Sequence, residues 1–201
     1  MQESFEQSAS SFLDMLRPLT SDDRAIIREI EIPQLQPGTI VRVAGEDCIV
    51  LASHSDGTSA LVTKNLIETT AFGESANWAI SSIRESLGRD FAFRLLDDVG
   101  TDNIVRFRRN LIAMDGATDF GTCEDVVSIM SLDEYRQYGS VLDAYNPGRW
   151  WWLLTPWSTP ARGWSRSVCC VRDDGAVCYG DCDFRHGVRP FFLLKSEILT
   201  S

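Results

Sequence analysis

Three consecutive tryptophans, Trp150, Trp151 and Trp152, open an apolar run that continues through Leu153 and Leu154 to Thr155. Such a run reads as a buried strand, and side chains on a strand alternate between its two faces. The three rings therefore cannot share one side: some fill a core, and at least one lies near the surface. The rest of the C-terminal third is also β in pattern. Ser167 to Val171 reads as a strand, Asp173-Asp174-Gly175 as a hairpin turn, Ala176 to Tyr179 as the return, and Gly187 to Leu194 as a closing strand.

Upstream, residues 39 to 65 alternate in the β manner. Thr39–Val43, Cys48–Ala52 and Ser59–Thr63 form a meander with turns at 44–47 and 55–58. Asn77 to Leu87 carries Trp78, Ile80, Ile83 and Leu87 at helical spacing, and Gly88 is its C-cap signal. Phe91 to Leu96 adds a further turn or two. Ile104–Ile112 and Val126–Met130 read as short strands, and Ser131-Leu132-Asp133-Glu134 is a capping box opening a helix through Tyr138. At the start, residues 3–17 and the segment behind Ser21-Asp22-Asp23 read as two amphipathic helices, stopped by Pro18 and Pro33. They form an expected helical extension, residues 1–37, that either packs on the domain or drives homo-oligomerisation. The domain proper is expected over 38–201. Its class is α+β: antiparallel sheets, with the strands lying at the two ends of the domain and two or more helices between.

Charge narrows the partners. The chain has 29 acidic and 19 basic residues, a net charge of -10. That argues against DNA, RNA and anionic membrane surfaces, which need a basic footprint. From Trp150 onward six basic residues meet five acidic ones, so this part is near neutral, and it holds five of the six tryptophans. A protein or cell-surface partner is expected to dock there. No apolar run is long enough to span a membrane, and Met1–Glu6 has no signal-peptide character. A cytoplasmic or virion-associated protein without membrane insertion is the expectation. The six cysteines have no secretory context and are expected as free thiols.

Catalytic chemistry finds little to use. The two histidines are His54, a turn residue, and His186. No nucleophile elbow, phosphate loop or His-rich metal motif is present. Cys178, Cys182 and His186 are separated by three residues each, a zinc-like spacing on a helix, but Gly180 and the β pattern oppose a helix there. The expectation is a non-enzyme with no metal and no cofactor. Trp157 and Trp164 lie in a loop beside Pro160 and Gly163. With Arg166, Tyr179, Asp181, Asp183, Phe184, Arg185 and His186 they are the candidate ligand-binding residues, since exposed Trp, Tyr and Arg anchor binding surfaces. Packing of the rings within the loop is the plainer alternative for each. Arg189, set between Val188 and Pro190, reads as a buried structural arginine held by a carboxylate or by carbonyls. Trp151, Trp152, Gly175, Gly187 and Pro190 are the other candidate structural residues.

Several of these segments, in order, resemble an uncharacterised bacterial and phage domain family. Trp150-Trp151-Trp152-Leu153-Leu154-Thr155-Pro156 resembles its Tyr-Trp-Trp-Leu-Arg-Ser-Pro motif. Val171–Gly175 resembles its Val-x-x-Asp-Gly hairpin, and Gly187-Val188-Arg189-Pro190 its closing Gly-Val-Arg-Pro. Upstream, Asn77-Trp78 with Ser82–Leu87 and Ser128–Glu134 resemble a helix and a Leu-Leu-Ser-x-x-Glu segment. Leu154, Thr155, Phe191 and Phe192 depart from the pattern. The resemblance covers roughly residues 38 to 197 and implies a C-type lectin fold, in the branch that includes formylglycine-generating enzymes and the variable proteins of diversity-generating retroelements. It implies that variable residues sit between Pro156 and His186. Cys, Tyr, Gly, Asp, Phe, Arg and His, abundant in Cys178–His186, are residues that adenine randomisation of Asn codons yields; an ordinary variable loop is the alternative. The implied function is a non-catalytic receptor or display protein. A structural or assembly protein, such as a virion component, and an enzyme of the formylglycine-generating type are the alternatives. Cys169 and Cys170 lie in no matching catalytic motif.

Overall fold

Val43 and Glu46 face each other across a two-residue turn in which Ala44 (φ 53°) and Gly45 (φ 76°) are both left-handed. This turn matches the natural twist of a hairpin. Ala44 is held in its unfavourable backbone region by its own hydrogen bonds. Its N–H donates to Asp98 (2.7 Å) and its carbonyl accepts from Arg94 (2.9 Å). The hairpin starts the meander β1 (Ile40–Val43), β2 (Glu46–Ser53) and β3 (Thr58–Thr63). The computed structural model describes residues 35–163 and 166–199. The expected N-terminal helices over residues 3–33, with the oligomerisation role given to them, lie outside the described residues, as does Trp164.

The closing strand β13 (Pro190–Lys195) pairs antiparallel with β3, from Phe191 opposite Val62 to Lys195 opposite Thr58. Its other edge pairs with β5 (Ile104–Val105) and β8 (Val127–Ile129). Strands from both ends of the domain thus build one six-stranded sheet. A second sheet has the order β11 (Val177–Asp181), β10 (Ser167–Val171), β9 (Trp151–Pro156), β12 (His186–Val188), β4 (Glu68–Thr70). All pairings in the two sheets are antiparallel except β9 with β12. The strand expected over 104–112 is broken at Arg106: β6 (Phe107–Asn110) leaves the first sheet and pairs with β7 (Thr122–Asp125). The class is mixed α+β, mostly sheet with few helices.

Alternation along the inner strands feeds two cores. Val50, Leu61, Trp152, Leu154, Cys170 and Phe192 point to one; Ile49, Val62, Trp151, Leu153, Cys169 and Phe191 point to the other. β2, β9, β10 and β13 are therefore buried on both faces, which explains their continuous apolar sequence. On the first side lie α1 (Ser82–Ser86), a π turn (Leu87–Phe91) and α2 (Ala92–Val99). The expected stop at Gly88 does not occur. Ile83, Leu87, Phe91 and Leu95 recur every four residues and are all buried, so packing carries the helical path past the glycine to Gly100. On the second side Leu132 of α3 (Leu132–Gln137) and Leu142 of α4 (Gly139–Leu142) join the core. The Ser131–Glu134 capping box is formed, and Glu134 also takes a bidentate pair of bonds from buried Arg109 (2.5 and 2.7 Å). Trp78 is fully buried and donates to Asp125 (2.8 Å), which also accepts from Arg84 (2.7 Å).

The chain changes sheets between Val188 and Pro190, and Arg189 sits at that step with 0% of its surface exposed. Its Nε donates to Thr63 O (2.7 Å) and its Nη2 to Lys64 O (3.2 Å) and Tyr145 O (3.1 Å). Carbonyls at the end of β3 and beyond α4 hold it, and no carboxylate is its ion-pair partner among the described residues. Burial lowers its pKa to about 10, which leaves it charged at neutral pH. Arg189→Ala strips one buried and two part-buried carbonyls of their donor and opens a cavity. We expect a loss of roughly 3 kcal/mol or more in urea unfolding, with unchanged stability counting against this role.

Candidate binding surface

Strand β11 is the edge of the second sheet, and residues on it point alternately to its two sides. Tyr179 lies opposite Cys169, on the side of the core that contains Trp151. Its exposed ring (47%) stacks on half-buried Trp157 with centroids 4.5 Å apart. Cys178 and Gly180 point to the other side, toward Trp152 and His186. The candidate residues therefore do not form one patch. Trp157 and Tyr179 make one ring pair; Phe184, Arg185 and His186 belong to a separate basin.

Between the two, Arg166 reaches Asp181 (3.1 Å) and Asp183 (3.2 Å) and donates to Glu74 O (3.1 Å). These carboxylates oppose a cation already, so they organise the loop rather than offering free charge. Cys182 is buried beneath it, with its N–H and Sγ both 2.7 Å from Arg166 O. The loop is thus pinned at Cys182, and Phe184 beyond it projects into solvent at 56% exposure.

The basin is an open hollow of about 420 Å³ lined by Thr69, Arg149, Trp150, Phe184, Arg185 and His186. Arg149 has no ion pair or hydrogen bond among the described residues, and Arg185 donates only to Thr69 O (2.7 Å). Arg172 lies over the Trp150 ring at 5.7 Å. On a chain of net charge -10 this is a locally cationic, aromatic hollow. His186 forms its floor, 5.3 Å from Trp150, 4.4 Å from Trp152 and 6.2 Å from Phe184 between ring centroids. Its Nε2 is buried without a partner among the described residues, and burial lowers its pKa below 6.5. It serves at neutral pH as a neutral ring. Sequence reasoning misses Arg149, Trp150 and Thr69 as basin residues. Thr69 lies on a three-residue polar strand with no periodic signal; Arg149 and Trp150 sit at the mouth of a run that reads as scaffold.

The thiols are placed as packing groups. Burial pushes Cys48, Cys169, Cys170 and Cys182 up to about 12, so these four stay protonated and weakly nucleophilic at neutral pH. Cys178 on the strand, Cys182 beneath the loop and His186 on β12 do not converge. No group of three or more His, Cys, Asp or Glu side chains is placed to hold a metal ion among the described residues.

A family model described as a domain of unknown function (DUF6273) matches residues 56–196, well over half of the chain, and the chain belongs to that family. No curated protein and no solved structure matches it.

Two outcomes follow from the His186 packing. A Cβ at Gly180 would lie 2.9 Å from His186 Nε2 and 3.3 Å from Trp152, so Gly180→Ala displaces the basin floor. We expect a cost of about 1–3 kcal/mol in thermal or urea unfolding. The folded pKa of His186 lies below its unfolded value, so the unfolded chain binds the extra proton first on acidification. The contribution is present above the unfolded pKa and is lost as pH falls through the folded one. Stability should begin to decline as pH falls through the unfolded value of about 6.5 and continue to fall until the folded ring is protonated. In His186→Phe that decline should be smaller; an identical pH profile would show that His186 does not titrate as described.

Proposed function

We propose that this chain is a non-catalytic ligand-binding protein of the receptor or display kind, built on a C-type lectin fold. The fold reading is supported by the pairing of strands from both ends of the domain, β3 with β13, and by a second sheet whose strands β9 to β12 present the candidate residues. One observation carries the functional reading. The large exposed side chains Tyr179 and Phe184 stand on an edge strand and loop, directly against strands whose side chains are buried on both faces. A rigid support with replaceable surface residues is what a binding scaffold requires. The cationic, aromatic basin favours a protein partner that offers an acidic group to Arg149 and Arg185, with Trp150 and Phe184 as apolar anchors. Diversification by a retroelement is the proposed source of the unusual Cys178–His186 composition. Soluble and virion-associated settings both suit the reading, and no described helix is long and apolar enough to cross a membrane.

The reading separates two classes of position. Combined substitution of Tyr179, Asp181, Asp183, Phe184 and Arg185 should keep the melting temperature within about 5 °C, because surface changes and exposed ion pairs are each worth little. Combined substitution of Trp151, Trp152 and Arg189 should abolish folding. Comparable loss from both sets removes the basis for a display scaffold. For diversification, the source genome should carry a near-copy of the coding segment for Pro156–His186, differing at adenines, beside a reverse transcriptase gene. A complete genome without one refutes it.

A further inference from the structure

Strand β11 has a neighbour on one edge only, so its other edge carries backbone groups that no strand satisfies. Along an antiparallel pair, residues alternate between those bonded to the neighbour and those turned away from it. The even-numbered residues of β11 are the bonded ones. Cys182 N donates to Arg166 O (2.7 Å) and Arg172 N to Ala176 O (2.9 Å), and the register between these two pairs is unbroken, with Val168 opposite Gly180 and Cys170 opposite Cys178. Val177, Tyr179 and Asp181 therefore turn their N–H and C=O groups outward. Ser167, opposite Asp181, has the matching phase: its carbonyl faces β9 and accepts from Trp157 N (2.8 Å). The Asp181 carbonyl accepts from Phe184 N (2.9 Å), and the Tyr179 carbonyl meets the Cys178 thiol at 3.7 Å. Both backbone groups of Val177 and the N–H of Tyr179 have no partner among the described residues.

Two other edges are guarded. On β4 the carbonyls of Thr69 and Thr70 are covered by Arg185 (2.7 Å) and Trp152 (3.0 Å). β1 carries Arg42 and ends in the Ala44 turn held by Asp98 and Arg94. β11 has no proline, lysine, arginine or bulge, the usual devices against strand pairing. Val177 (38% exposed) and Tyr179 (47%) instead present an apolar strip on one side of it, extended by Trp157 stacked on Tyr179. Each end of the strand carries excess negative charge. Asp173 and Asp174 stand beside one cation, Arg172, in the hairpin, and Asp181 and Asp183 share Arg166 at the other end.

We propose that β11 receives an extended segment of a partner polypeptide as an added strand. The outward groups of Val177 and Tyr179, about 7 Å apart along the strand, pair with its backbone. Apolar side chains at alternate positions of the segment cover Val177 and Tyr179, and basic residues flank them. The inference rests on the receptor reading above and deepens it. Main-chain bonds do not depend on which side chains stand at 177, 179 and 181, so the edge binds while its surface is replaced.

The probe is a capped peptide of alternating valine and threonine with a lysine at each end, added to the ¹⁵N-labelled full chain. The Val177 and Tyr179 amide resonances should move downfield saturably and exchange more slowly with solvent. Those of Cys178 and Gly180, already bonded to β10, are the controls. Val177→Pro removes an outward N–H and no bond to β10, and should weaken binding about tenfold in a chain that stays folded. The same peptide fully N-methylated should not bind, and a glutamate-ended version should bind about threefold more weakly at low salt. Equal binding of the N-methylated peptide shows docking by side chains alone: the receptor surface stands and strand addition falls. No saturable response in β11 overturns strand addition, and the stability comparison of the two substitution sets still tests the receptor reading by itself. Equal binding of the glutamate-ended peptide overturns the basic flanks. Self-association of the chain without peptide, abolished by Val177→Pro, gives the edge to a second copy and overturns the partner assignment. Should Val177→Pro unfold, the N-methylated peptide decides.

Discussion

The crossing of the chain from β12 to β13 is the point on which the rest of the structure depends, and the guanidinium of Arg189 holds it. A strand that leaves one sheet and enters another exposes carbonyls that neither ladder satisfies, and buried carbonyls left unpaired are costly. Arg189 supplies donors to Thr63, Lys64 and Tyr145 at once, thereby joining the end of β3 and the segment after α4 to the crossing. A lysine could not reproduce this, because three acceptors in different directions suit a planar fork. The arrangement costs desolvation of a charge, and the lowered pKa of Arg189 expresses that cost.

With the crossing fixed, β13 pairs with β3, and β12 pairs with β9 and β4. The two cores then close over opposite sides of the same strands, which is why Trp151 and Trp152 can both be fully buried although they point opposite ways. Support is therefore densest at β9 and β13 and thinnest at β11, which has a neighbour on one edge only. Binding residues belong at such an edge, where a side chain can change without opening a cavity.

Much of this was legible in the residues, and the exceptions have physical causes. The meander, the capping box at Ser131 and strands β9, β10 and β13 carry period-two patterns, apolar runs or cap residues, all local signals. Strands β4 and β7 carry neither: Glu68–Thr70 and Thr122–Asp125 are polar and exist because a partner strand is present. The run past Gly88 escaped because tertiary packing of Leu87 and Phe91 outweighs a glycine's preference for a helix end. Burial of Arg189 was readable from its apolar neighbours; its choice of carbonyls over a carboxylate was not, since those carbonyls lie over a hundred residues upstream and at Tyr145. The candidate surface was legible as a list of residues but not as a shape. Strand alternation separates Tyr179 from Phe184 and His186, and three distant segments bring Thr69, Arg149 and Arg185 to one hollow.

Native-state hydrogen exchange measured peptide by peptide tests this division most directly. Amides of β3 and β13 should exchange only through global unfolding, whereas those of β11 and the loop at 182–185 should exchange through local openings of much lower free energy. If the β11 segment proves as protected as β13, or if β13 opens independently of β3, the separation into a fixed crossing and a replaceable edge is contradicted.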